Sequence, residues 1–227
     1  MPRTLNPVAH ALRRDAFVDV AQRLIQTKGY EQMSIQEVLD ELDASKGAFY
    51  HYFDSKVALL EAVVEGMVDA AAAALEPVVA DPGLPALRKL EGVFTGIAGW
   101  KMERKELVLA LMRIWLSDEN AIVREKLRRH ATVRLAPLFA RIVRQGKAEG
   151  VFSASSAEQT AGVLVSLILG ANETASHLFV ARQTNAVSLE EVERTVAAYT
   201  EAYERILGLA AGSWTPVDAQ TLRFWFA

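Results

Sequence analysis

The chain has 227 residues, 51% hydrophobic and 23% charged, with a formal net charge of −3, enough apolar material for one or two domains with a sizeable core. It has no cysteine, which excludes disulfides and thiolate metal sites and leaves nothing pointing to an oxidising compartment. The mildly acidic balance disfavours nonspecific polyanion binding, yet it is silent on a sequence-specific reader, whose contacts depend on local geometry.

The opening residues, MPRTLNPVAHALRRD, lack an apolar run and a cleavage site of the secretory kind. The longest apolar run, Ala161 to Ala171 broken by Ser166, falls short of the about 20 residues of a membrane span. A cytoplasmic protein with no membrane partner is expected. Helical periodicity runs along the whole chain, so the expected class is all-α.

A first helix is expected from a cap at Asn6 and a permitted proline at Pro7 to Gly29, with Phe17, Val20, Ala21 and Leu24 inward. Next come two short helices with a tight break. In the first of these Ile35, Val38, Leu39 and Leu42 make one apolar stripe, and Ser34 with Glu37 has the spacing of a capping box. Asp43-Ala44 is the break, Asp being among the residues that tolerate left-handed backbone. Ser45 can cap the second short helix, which Phe49 and Phe53 anchor inward. Lys46 with Tyr50, Gly47 with His51, and Ala48 with Tyr52 line its other surface at i, i+4. Small residues at the helix start let backbone approach base edges, and Lys, Tyr and His can donate to phosphate oxygens.

A long helix opens at Ser55-Lys56, carries Leu60, Val63, Val64, Met67, Val68 and Ala71 on one side, and stops near Asp81-Pro82-Gly83. Further helices are expected over about Leu84–Met102, Lys105–Leu116 and Glu119–Gly146, the last with Val123, Leu127, Ala131, Leu138 and Ile142 inward. From about Ser156 to Val180 the pattern is apolar nearly all round, apart from a face of Ser166, Gly170, Glu173 and His177. The next helix, about Leu189 to Leu209, places Leu189, Val192, Val196, Tyr199, Tyr203 and Ile206 at alternating three- and four-residue steps, a coiled-coil-like seam. The aromatic tail with Trp214, Phe224, Trp225 and Phe226 is expected to dock as a short extra helix rather than to act as a lid.

The string Ser45-Lys46-Gly47-Ala48-Phe49-Tyr50-His51-Tyr52-Phe53, followed by Ser55-Lys56 and Leu59-Leu60, resembles the DNA-binding domain of the tetracycline-repressor-like (TetR/AcrR) family of bacterial transcription regulators. The resemblance runs from about Arg13 to Val64. Two positions depart from the family pattern: Asp43 stands where Gly is usual, and Leu39 and Leu42 replace small alanines. The resemblance implies a helix-turn-helix DNA-binding domain over residues 1–54 and a helical effector-binding and dimerisation domain over 55–227. It implies a homodimeric regulator, most often a repressor, on a palindromic double-stranded operator.

Candidate DNA contacts are Ser34, Gln36, Lys46, Gly47, Ala48, Tyr50, His51, Tyr52 and Lys56. On amphipathicity alone Tyr50 and Tyr52 are packing residues and Lys56 a solvated lysine; the resemblance turns them into readers. A cation in the first turn of a helix opposes the helix dipole, a conflict that a nearby phosphate removes. By the same analogy Phe94, Trp100, Met112, Trp115, His130, Phe139, Asn172 and His177 are candidate walls of a cavity for a small apolar or aromatic effector, although most such residues are ordinary core. Glu173 and His177 can pair at i, i+4. Leu164, Ile168, Val192, Val196, Tyr199, Tyr203 and Ile206 are candidate dimer contacts, with internal packing the alternative.

Neither a metal-binding motif nor a cofactor loop is present, and no GxSxG, Walker A or GxGxxG string occurs. An enzyme is not expected. The alternative function is a helical ligand-binding or protein-interaction module whose DNA-reading role is lost, motivated by the acidic Asp40, Glu41 and Asp43.

Overall fold

The computed structural model describes residues 7–117 and 120–227, and among these it is built of α-helices alone. There are ten: α1 (Pro7–Lys28), α2 (Ile35–Glu41), α3 (Lys46–Tyr50), α4 (Lys56–Ala80), α5 (Ala86–Glu103), α6 (Lys105–Trp115), α7 (Ala121–Ala148), α8 (Ala157–Gln183), α9 (Leu189–Leu207) and α10 (Ala219–Phe226). The expected cap Asn6 and the expected α7 start at Glu119 lie outside the described residues. Elsewhere the helices fall within a few residues of their expected places, because Gly29, Asp81-Pro82-Gly83 and Gly150 punctuate them.

Packing divides the chain into two compact units that do not follow a linear cut at 54/55. The first takes the chain up to Met67 together with Arg104–Leu127; the second takes Val68–Glu103 and Arg128–Ala227. The backbone passes from one unit to the other inside the continuous helices α4 and α7.

The first unit is organised on an aromatic centre. Phe17, Phe49 and Phe53 are buried, with ring centroids 5.6 to 6.2 Å apart, a spacing that favours edge-on and tilted contacts. Ile25, Met33, Val38, Leu39, Leu59 and Leu60 complete the core, joined by Leu107 and Val123 from α6 and α7. A small pocket in this unit is lined by Leu60, Val64, Leu111, Trp115, Asn120, Val123 and Arg124. Arg124 closes one side by donating to the carbonyls of Trp115 and Ser117 at 2.6 and 2.7 Å.

The second unit has its own core from α4, α5, α7, α8 and α9, including Leu75, Leu90, Phe139, Val143, Leu164 and Leu207. Lys89 is buried, and its ammonium donates to the Val79 carbonyl at 2.8 Å, satisfying a last-turn acceptor of α4. The bend after α7 and the end of α9 meet: Ser153 N donates to Leu207 O at 2.9 Å. Gly208 caps α9 at φ +71, where a Cβ would run into the Ser153 side chain. Beyond it the buried Glu204 carboxylate accepts from Gly212 N at 2.9 Å and Trp214 N at 3.0 Å, tying the tail to α9. Trp214 packs its ring against Phe94 and Tyr203, while its buried Nε1 has no hydrogen-bond partner among the described residues. The tail then forms the expected extra helix, α10, whose Trp225 and Phe226 meet Phe179 of α8. Of the described helices α8 is long and apolar enough to cross a membrane by length and composition, yet its Ala161, Leu164, Val165 and Ile168 lie in this core.

Candidate functional site

Local capping chemistry builds the α2–α3 corner. Ser34 caps α2 as the spacing predicts: its Oγ accepts from Glu37 N at 3.2 Å, and the Glu37 carboxylate accepts from Ser34 N at 2.8 Å. Lys28 pairs with the same carboxylate. Its hydrogen bond, then those from Ser34, pull the Glu37 pKa down to about 2. At the break Asp43 adopts φ +46, which lets Ala44 N reach back to Leu39 O at 2.9 Å. Ser45 then caps α3, its Oγ accepting from Ala48 N at 3.2 Å.

The acidic residues that motivated the alternative function have structural employment. Asp40 accepts from Gln36 Nε2 at 2.7 Å, Glu41 pairs with Arg23, and Asp43 makes the break.

On the outer side of this corner Gln36, Lys46, Gly47, Tyr50 and His51 are exposed, and Ala48 is half-buried. A Cβ built on Gly47 would meet only Ser45 Oγ, at 3.8 Å, and its backbone is not left-handed. Among the described residues nothing in the packing therefore requires glycine there.

Two expected readers sit differently. Tyr52 does not share an open face with Ala48: α3 ends at Tyr50 and His51 is its cap, so Tyr52 leaves the helical repeat. Its ring turns toward α1, with centroids 4.6 Å from His10 and 5.8 Å from Phe17. Lys56 is not free in solvent; its ammonium lies 4.3 Å from the Tyr30 ring centroid and donates to Glu31 O at 3.2 Å. Those contacts answer the unfavourable dipole without a phosphate. Sequence reasoning missed His10, which also meets His51 edge-on at 5.4 Å. A histidine on a neighbouring helix, forty-one positions away, leaves no periodic signal.

The expected effector walls are divided between the two units. Met112 and Trp115 belong to the first unit, the other six to the second. Phe94 and Phe139 join Tyr203 and Trp214 in a closed aromatic cluster. His130 is held by Asp69 at 3.0 Å, and Trp100 is half-buried. His177 is exposed, so it is not an interior wall, and it does not take Glu173, which pairs with Arg128 at 3.2 Å. Asn172 accepts from Lys101 Nζ at 2.6 Å.

The dimer contacts also need correction. Leu164, Ile168, Val192 and Tyr203 are buried within the chain's own core and are unavailable to a second copy. Val196, Tyr199 and Ile206 are half-buried, with Tyr199 hydroxyl bonded to Thr174 at 2.9 Å. The exposed residues of α8 instead include Val163, Ser166, His177 and Val180.

Residues 17–63 match the family model described as bacterial regulatory proteins, tetR family. The transcriptional repressor KstR2 of Rhodococcus jostii (strain RHA1) is 27% identical over 124 residues, covering 50% of this chain and 60% of that protein. The transcriptional regulator EthR of Mycolicibacterium smegmatis is 28% identical over 142 residues, 55% of this chain and 65% of its own length. The chain thus spans less than two thirds of either relative. Among solved structures, RolR in complex with resorcinol is similar at TM-score 0.61 and 17% identity, covering 96% of this chain and 95% of that one. Thermus thermophilus FadR in complex with lauroyl-CoA is similar at TM-score 0.59 and 19% identity, covering 83% and 93%. These structures share the all-helical fold. Across its capped α2–α3 corner and the helices on either side, the chain is thus similar to the tetR family of bacterial regulatory proteins.

Proposed function

We propose that the chain is a ligand-responsive transcription regulator: a homodimeric repressor that binds a palindromic double-stranded operator and is released by a small apolar or aromatic effector. It works in the cytoplasm and catalyses no reaction. The observation that carries the reading is the outer side of α3. Lys46, Gly47, Tyr50 and His51 are exposed together on a helix fixed at its start by Ser45, and Gly47 answers no demand of the fold. A glycine without an internal reason suits a surface where duplex DNA approaches the backbone. A two-fold molecule then meets half-sites about 34–36 Å apart, and the exposed side of α8 with Val163, Ser166, His177 and Val180 is the surface we assign to the second copy. Coupling between effector and operator runs through α4 and α7, each of which contributes residues to both units.

The test is fluorescence anisotropy with the chain's own upstream DNA. Gly47→Ala should leave thermal stability unchanged or slightly raised, because Ala is the better helix former, yet weaken operator affinity about tenfold. Lys46→Ala should weaken binding and flatten its salt dependence by about one phosphate contact. Unchanged DNA affinity in both variants overturns the assignment of this surface. An effector should shift operator affinity by about 1–3 kcal/mol.

A further inference from the structure

In the second unit the Lys101 ammonium is a charge that no carboxylate among the described residues neutralises. On α5, Leu90, Phe94 and Ile97 join the core at four- and three-residue steps, and the stripe continues four residues on to Lys101. On α8, Leu164 and Ile168 do the same, and four residues on stands Asn172. The two stripes meet in one hydrogen bond, Lys101 Nζ donating to Asn172 Oδ1 at 2.6 Å. Asn172 is neutral, and among the described residues no carboxylate pairs with this ammonium; the adjacent Glu173 is engaged by Arg128. Burial brings the Lys101 pKa from 10.5 down to about 8, as expected of a part-buried cation without a counter-charge. Both helices are only half-covered around the pair: residues 97–102 on α5 and 169–176 on α8 all keep partial exposure.

We propose that Lys101 and Asn172 form the head-group site of the effector, and that the effector is a small apolar molecule bearing a carboxylate. This rests on the chain being a ligand-responsive regulator. With Asn172 Oδ1 occupied by the lysine, its Nδ2 remains a donor, so ammonium and amide present two donors to the two oxygens of a planar anion. Ile97 and Ile168 supply apolar contact beside the pair, and Phe94 stands about 10 Å back along α5. A phosphate dianion would call for a second cation, and Arg128 is already taken. A neutral ligand would leave the ammonium uncompensated.

The experiment uses the full chain without DNA and measures binding of octanoate and 2-naphthoate against 1-octanol and 2-naphthalenemethanol by calorimetry. At least one carboxylate should bind about tenfold more tightly than its alcohol. Lys101→Met should bring that ratio close to one, and Lys101→Arg should restore part of it. If Lys101→Met does not fold, Asn172→Ala serves, with a severalfold loss expected for the carboxylate alone. The proposal is overturned if alcohols bind as well as carboxylates, if no carboxylate binds up to about 1 mM, or if the preference survives these substitutions. A gel shift on the same preparation separates the two readings. Operator binding without carboxylate preference sinks only the head-group site, whereas carboxylate preference in a chain that ignores operator DNA sinks the regulator.

Discussion

Around the α2–α3 corner the helix caps are closed by partners three or four positions away; in the second unit the Lys101 ammonium is answered from a distant helix and the Trp214 indole stays unanswered among the described residues. Ser34 and Glu37 cap each other, Gln36 takes Asp40, and Ser45 takes Ala48 N. By contrast Lys101 reaches Asn172 seventy-one positions on, and Trp214 Nε1 has no partner among the described residues. A corner made from local bonds holds its shape whatever lies against it, which suits a rigid reader of a fixed duplex. An interior with unanswered donors suits a region whose occupant changes.

Substitutions can break or sharpen this contrast. The largest effect should come from Phe49→Ala, which empties the aromatic centre of the first unit; denaturant unfolding should show a loss of about 3–5 kcal/mol. Glu204→Ala should cost about 1–3 kcal/mol in the second unit, by orphaning the Gly212 and Trp214 amides, and should raise tail hydrogen exchange. Lys101→Met should instead stabilise the ligand-free protein at pH 7, by about 1–3 kcal/mol. The sign follows from the depressed pKa. Between about 8 and 10.5 the unfolded lysine holds a proton that the folded one has lost, so wild type gains stability as pH rises through that window. The advantage of Lys101→Met should therefore fade by pH 10.5, as read from paired melts; a constant advantage would show that burial of charge is not its cause.

The smallest effect belongs to the corner. Ser34→Ala should cost about 1 kcal/mol. Glu37→Gln should flatten the acid limb of unfolding, because a carboxylate held down to about 2 contributes stability above its ordinary 4.5 and loses it as pH falls toward 2.

The same contrast explains what the amino-acid sequence discloses. Caps, the Asp43 break and the Phe49/Phe53 anchors are written within a few residues of the helices they serve, and each stands where spacing places it. Tyr52 escaped because α3 stops one residue before its cap, and a periodic reading continues past it. Lys56 escaped because its partners, Tyr30 and Glu31, precede α2. For α8, an apolar pattern on all sides cannot say which side the chain covers itself, so Leu164 and Ile168 read equally as core and as interface. The candidate effector walls divide between the units for a related reason: bulk marks a residue as interior without telling which interior it belongs to.

The meeting of Ser153 with Gly208 has a consequence for remodelling the molecule. Two hairpin-like corners, far apart in the gene, occupy one another's space, so neither can be lengthened or given a bulkier residue alone. Peptide tags or fluorescent inserts placed at 150–156 would unwind the close of α9 and, with it, loosen the carboxylate clasp on the tail. The stretch 81–84, exposed apart from half-buried Leu84, is the safer place to splice one in.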